Sequence, residues 1–212
     1  MARIFGAFKT GARVAFDPLG RALVRAGVSP DAITIIGTLG VVVASAVFAA
    51  HGQLLVATII ITLCALLDVL DGAMARARGY STRFGALLDS TMDRVADGAI
   101  FGALVWWLAT SGQRLLAVVT IVCLVGGQIV SYVKARAQGL GFTCDVGFAE
   151  RLERLTIVGI GGLLYGFGVE WGLAVALWVL AVLTVVTVVQ RTMHVRTQER
   201  AQQRQSAQEG AT

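Results

Sequence analysis

The sequence predicts an all-α, polytopic membrane protein: six transmembrane helices preceded by an amphipathic interfacial helix. Three observations carry this. Hydrophobic residues fill 56% of the 212 positions and mean hydropathy is +0.75, far more apolar than a soluble domain of this size. Stretches approaching the ~20 apolar residues needed to cross a bilayer recur along the chain. The net charge of +5 comes from cations at the ends of those stretches, with no aromatic-interleaved soluble patch. That placement speaks against nucleic acid as a partner and fits membrane lipid with anionic headgroups.

Residues 3–27 set Ile4, Phe5, Phe8, Val14, Phe16, Leu19, Leu23 and Val24 among Arg3, Lys9, Arg13, Arg21 and Arg25. This is the pattern of a helix lying in the membrane interface. It lacks the compact apolar core and cleavage site of a signal peptide. Next, Ser29-Pro30-Asp31 reads as a helix start, with proline just inside and an acid in the first turn. Six spans follow at 33–51, 54–77, 84–110, 114–137, 154–169 and 171–193. The polar stretch 197–212 reads as a short helical extension that frays. The division is therefore 1–30 juxtamembrane helix, 31–196 membrane domain and 197–212 tail. Twenty-five glycines suit close helix packing in lipid. Cys64, Cys123 and Cys144 have no metal-binding spacing, and their odd number argues against a full disulfide framework. Cys64 and Cys123 read as core. Trp106, Trp107 and Trp171 suit the outer interface, whereas Trp178 reads as packed.

Lysine and arginine set the orientation. One side receives the N-terminal cations, then Arg76, Arg78 and Arg83, then Lys134, Arg136, Arg151 and Arg154, then Arg191, Arg196, Arg200 and Arg204; the other receives Arg114. The excess marks the cytoplasmic side, so both termini should be cytoplasmic in a multi-pass cell-membrane protein.

The chemistry sits at the junction of spans two and three. Asp68 and Asp71 are three residues apart, and Asp89 and Asp93 four apart, so each pair shares a helix face. Intramembrane carboxylates are costly and functional by default. Four together repel and raise one another's pKa unless a cation neutralises them. An all-oxygen donor set favours Mg²⁺ or Mn²⁺ over zinc. Two such ions, about 3.5–4 Å apart, would suit phosphoryl transfer. Gly72 permits close approach beside Asp71, and Arg76 can reach a phosphate from the helix end. A competing reading is a charge network with Arg76, Arg83 and Arg94. Asp97, one turn beyond Asp93, reads as structural support.

The string from Asp68 to Asp93 is D-x2-D-G-x2-A-R-x8-G-x3-D-x3-D, with Asp68, Asp71, Gly72, Ala75, Arg76, Gly85, Asp89 and Asp93 at its fixed positions. It resembles the signature of the CDP-alcohol phosphotransferases. The resemblance implies metal-assisted transfer of a phosphoalcohol from a CDP-alcohol to an acceptor hydroxyl, with release of CMP. It makes Asp68, Asp71 and Asp89 metal ligands, and Asp93 the general base and a further ligand. It implies contacts to the CDP part from Gly72 and Arg76, from Asp31, Ala32, Ile33 and Thr34 before span one, and from Ser81 or Thr82 in the connecting turn. It also implies a homodimer.

The remaining cytoplasmic cations bear on the acceptor. Lys134, Arg136, Arg151, Arg154 and Arg191 close three helix ends and together suit an acceptor that carries a phosphate. The segments SYVKAR and GFAERLER, with Gln190-Arg191, resemble those actinobacterial members of the family that act on inositol phosphate. That resemblance implies CDP-diacylglycerol and inositol phosphate as substrates, phosphatidylinositol phosphate and CMP as products, and Lys134, Arg154 and Arg191 as the acceptor's phosphate contacts, with Arg196 a rival for the last. The alternatives are a glycerol phosphate acceptor, as in the phosphatidylglycerophosphate synthases, and a divalent-cation transporter.

Overall fold

The computed structural model describes residues 17–78 and 82–209, without the side chains of Asp68, Val69 and Glu209. Among the described residues there are helices and no strands. Residues 17–25 (α1) precede α2 (Pro30–Val47), α3 (Leu54–Ala77), α4 (Arg83–Thr110), α5 (Arg114–Gly139), α6 (Arg151–Gly166) and α7 (Trp171–Glu209). A 3₁₀ turn, Ala49–His51, extends α2.

A helix stands at each of the six predicted spans. Four of them, α2 with its 3₁₀ turn, α3, α5 and α7, are long and apolar enough to cross a membrane. α4 has 28 residues, but Asp89, Asp93 and Arg94 in its first half and Asp97 just beyond lower its apolar character. α6 has 16 residues, short of the ~20 a crossing needs. Of the predicted amphipathic helix, 17–25 is helical and 1–16 lies outside the described residues. α7 continues past the expected end of its span to Glu209.

The chain divides into two compact units, Met1–Ala103 and Leu104–Thr212, with α4 running from one into the other. In the first, α1 stops at Gly27, whose φ of 79° is the left-handed conformation that ends helices. The Val28 N–H donates to Leu23 O and the Gly27 N–H to Val24 O, so the last carbonyls of α1 are satisfied. α2 then starts as its sequence predicts. Ser29 Oγ accepts the Ala32 N–H at 3.1 Å, and Pro30 stands where no amide hydrogen is needed. Two glycines set how closely the helices approach. A Cβ on Gly20 would lie 3.0 Å from Ala73 Cβ, and one on Gly40 would lie 2.6 Å from Cys64 Sγ. α1 and α2 therefore both rest directly on α3, which fixes the turn of α3 that carries Asp71.

In the second unit α5 and α6 pack on α7. Cys123 is buried and its thiol donates to Leu177 O at 3.3 Å. Trp107 meets Tyr165 edge to face with ring centroids 5.1 Å apart, so Trp107 is the packed indole. Trp178, expected to pack, is half exposed; its position on α7 turns it outward.

Candidate active site

A cavity of about 310 Å³ opens in the first unit. Its walls come from three helix segments. Pro30, Asp31 and Thr34 open α2; Asp71, Gly72, Ala75 and Arg78 close α3; Thr82, Gly85, Ala86 and Asp89 begin α4. Helix periodicity explains the selection, because Asp71, Ala75 and Arg78 stand at i, i+4 and i+7, and Gly85 and Asp89 at i and i+4.

Asp71 is buried, and the Thr34 hydroxyl donates to its carboxylate. A carboxylate taken out of water needs such a donor. Thr82 caps α4, its Oγ1 accepting the Gly85 N–H at 2.8 Å. A Cβ on Gly85 would lie 2.9 Å from Thr82 Oγ1 and 3.4 Å from Asp31 Oδ1, so glycine lets the starts of α4 and α2 meet. A Cβ on Gly72 would meet nothing closer than Arg76 Nη1 at 3.6 Å. Its absence therefore leaves cavity space rather than relieving a clash. Arg78 lends its Nη2 to Val28 O at 2.8 Å, tying the end of α3 to the turn before α2.

The cavity thus gathers Asp31, Thr34, Asp71, Gly72, Thr82 and Asp89 from the residues singled out by sequence. Asp68 lies one turn before Asp71 on α3, its side chain outside the described residues, as is Ser81. Ala32 and Ile33 belong to the first turn of α2, next to the cavity wall. Arg76 is not among the cavity's walls; its Nη2 pairs with Asp17 at 3.2 Å, while its Nη1 stays beside Gly72. The carboxylate of Asp93 meets Arg94 at 3.3 Å, one ion pair of the anticipated charge network. Asp97 is buried. Sequence reasoning counted Arg78 only as a topogenic charge. The signal that assigns it to the cavity is its two-turn separation from Asp71.

Among the described residues no three histidine, cysteine, aspartate or glutamate side chains form a ready metal cage. The donor chemistry nevertheless fits a hard cation. Asp71 and Asp89 bring carboxylate oxygens from two helices to one cavity, beside the oxygens of Asp31 and Thr34, with no sulfur or imidazole among its walls.

In the second unit the three predicted acceptor cations meet at the connection between α5 and α6. Arg191 is 2% exposed. Its Nε donates to Val146 O and its Nη1 to Val130 O, both at 2.8 Å, and its Nη2 to Glu150 Oε1 at 3.2 Å. Arg154 is equally buried, donating from Nη1 to Ala149 O at 3.1 Å. Gly127 makes room for it, since a Cβ there would lie 3.0 Å from Arg154 Nε. Lys134 is half-buried, with Nζ 2.7 Å from Asp145 Oδ1 and 3.7 Å from Glu150 Oε1. Lys134 and the Arg191 charge beyond it hold the exposed Asp145 carboxyl below its usual range.

A family model for CDP-alcohol phosphatidyltransferase matches residues 27–190, and the chain belongs to that family. Membership sets the transporter alternative aside. Within the family, the chain is 52% identical over 183 residues to the phosphatidylinositol phosphate synthase of Mycobacteroides abscessus, covering 85% of this chain and 83% of that one. The crystal structure of Mycobacterium tuberculosis phosphatidylinositol phosphate synthase with CDP-DAG bound superposes with a TM-score of 0.81 at 44% identity, covering 85% of this chain and 92% of that one. The same enzyme in complex with manganese and citrate gives 0.82 at 44% identity, covering 86% and 89%.

Proposed function

We propose that this protein transfers the phosphatidyl group of CDP-diacylglycerol to inositol phosphate, yielding phosphatidylinositol phosphate and CMP. The observation that carries the reading is the cavity, where five fixed positions of the family string, Asp71, Gly72, Ala75, Gly85 and Asp89, line one space with Asp31 and Thr34. The acceptor follows from the relatives, whose stated product is phosphatidylinositol phosphate.

In this reading Asp31, Ala32, Ile33, Thr34, Gly72, Arg76 and Thr82 bind the CDP part of the lipid. An acceptor hydroxyl oxygen attacks the phosphatidyl phosphorus, the bond from that phosphorus to the CMP oxygen breaks, and Asp93 takes the hydroxyl proton. Asp68, Asp71, Asp89 and Asp93 would hold two divalent cations, Mg²⁺ with Mn²⁺ as the alternative, which would supply charge neutralisation for the diphosphate and the leaving CMP. Manganese in the tuberculosis relative supports a divalent requirement. Thr34 holds the Asp71 carboxylate in place throughout. Lys134, Arg154 and Arg191 bind the acceptor's own phosphate, with the two arginines as fixed charges and Lys134 as the movable one.

The topology completes the proposal. α4 and α6 bring the crossings to six, the N-terminal amphipathic helix lies in the interface, and the termini and active site face the cytoplasm, as the lysine and arginine asymmetry supports. The enzyme works as a homodimer.

The test is CMP release by purified protein with CDP-diacylglycerol and Mg²⁺, comparing inositol phosphate, free inositol and glycerol phosphate. Release with inositol phosphate alone is expected. Release with glycerol phosphate alone would keep the family chemistry and overturn the acceptor.

A further inference from the structure

We propose that Asp145 is an internal competitor for the acceptor's phosphate: it occupies Lys134 between turnovers and retakes it as the product leaves. The inference rests on the reading of Lys134 as a phosphate-binding residue.

The connection 140–150 is pinned to α7 on both sides of Asp145. Before it, Thr143 is tied to Gln198, its N–H and hydroxyl donating to Oε1 at 3.2 and 3.1 Å and its carbonyl accepting from Nε2 at 2.7 Å. After it, Val146 O accepts from Arg191, and Thr187 Oγ1 accepts the N–H groups of Phe148 and Ala149 at 3.2 and 3.1 Å. Gly147, at φ 116°, packs so closely that a Cβ would lie 2.4 Å from Thr187 Cγ2. The backbone therefore presents Asp145 at a fixed place, while its side chain is 71% exposed.

The three cations differ in what can be exchanged. Arg191 and Arg154 are buried and each donates to a backbone carbonyl that cannot leave, and Arg191 also holds Glu150. Lys134 alone among them is partly solvated, and its flexible stem reaches Asp145, more exposed than Glu150, the other carboxylate paired here. Such exposed pairs are weak and exchange readily. A phosphate monoester carries about 1.5 to 2 negative charges near pH 7 and three acceptor oxygens, so it outcompetes one carboxylate for the ammonium group. Glu150, bridging Lys134 and Arg191, stays in place because Arg191 holds it.

The reaction supplies a reason for the competitor. The acceptor's phosphate is not consumed; it departs on the product lipid. Every contact that binds the acceptor must break again at release, and a tethered carboxylate that reclaims Lys134 opposes product retention. Asp145 is thus a positioning residue acting through Lys134.

The experiment uses the full chain in lipid vesicles, with inorganic phosphate as a non-reacting probe. Asp145→Asn should lower both the KM for inositol phosphate and the inhibition constant of inorganic phosphate about two- to fivefold, the range of exposed ion pairs. The KM for CDP-diacylglycerol should not move, and Asp145→Glu should restore wild-type values. In a Lys134→Gln background, Asp145→Asn should have no further effect. If Lys134→Gln weakens acceptor and phosphate binding while Asp145→Asn changes neither, the competitor is rejected and the acceptor site stands. If Lys134→Gln itself changes neither, the acceptor-site reading falls. An Asp145→Asn effect that persists without Lys134 would also overturn the proposal.

Discussion

The two charged regions of this chain handle charge in opposite ways. In the first unit, acids line a cavity of about 310 Å³ built from the ends of three helix segments. In the second, basic residues are folded into a connection whose carbonyls and acids already answer them. The contrast teaches how each region can take a ligand. A cation or diphosphate enters space that exists, whereas a phosphate at the second region must exchange with a partner, and the exposed Asp145 on Lys134 is one that exchanges easily.

Four measurements break or sharpen this comparison, beginning with the largest expected effect and ending with the smallest. Asp93→Asn should cut turnover about 10²- to 10⁴-fold, the range for losing a general base, while CDP-lipid binding is largely retained. Near-normal CMP release from that variant would remove Asp93 from the mechanism. Gly127→Val places branched carbon against Arg154 in a packed site. It should cost about 1–3 kcal/mol, read as a lower midpoint of thermal unfolding, and raise the KM for inositol phosphate without touching that for CDP-lipid. An unchanged midpoint would mean that Arg154 is not rigidly seated. Thr34→Val removes the hydroxyl that donates to Asp71. Losing a hydrogen bond to a charged group costs about 1.5–3 kcal/mol, so at least a tenfold weaker CDP-lipid KM is expected at unchanged acceptor KM.

The smallest effect is one of pH. Lys134, through its hydrogen bond and charge, holds the Asp145 carboxyl below its ordinary 3.8, with Arg191 adding to it. A lowered carboxyl contributes its stabilisation above the unfolded-state value and loses it as pH falls through the folded one. The stability difference between wild type and Asp145→Asn should therefore be flat from about pH 8 to pH 5 and shrink only in more acidic solution. Shrinkage already near pH 6 would assign the titration to another group.

Most of the helical layout was legible because apolar length and cap chemistry act locally. The span expected at 54–77 is α3 to the residue, and Ser29-Pro30 starts α2 by its own side chain. Two spans proved harder to grade by composition, α4 for its acids and α6 for its length. Much of the cavity was legible for the same reason, since spacings of three and four put residues on a common face. Arg76 and Arg78 show what the cavity adds to the family string. Both end α3, but at about 100° per residue Arg78 returns to the face of Asp71, whereas Arg76 stands to one side, with Nη2 on Asp17 and Nη1 beside Gly72. The periodicity held that information for Arg78, which is not a fixed position of the family string.

The sequence by itself determined the helices, the side of each helix that carries the acids, and the family, because these depend on residues within a few turns of one another. Only the tertiary structure decided that Thr34 serves Asp71 across 37 residues and that Arg191 reaches Val130, Val146 and Glu150. Those partners are set by how helices stack and how an irregular connection is threaded. No local periodicity encodes either one, and a buried charge takes whichever oxygen the packing brings within reach.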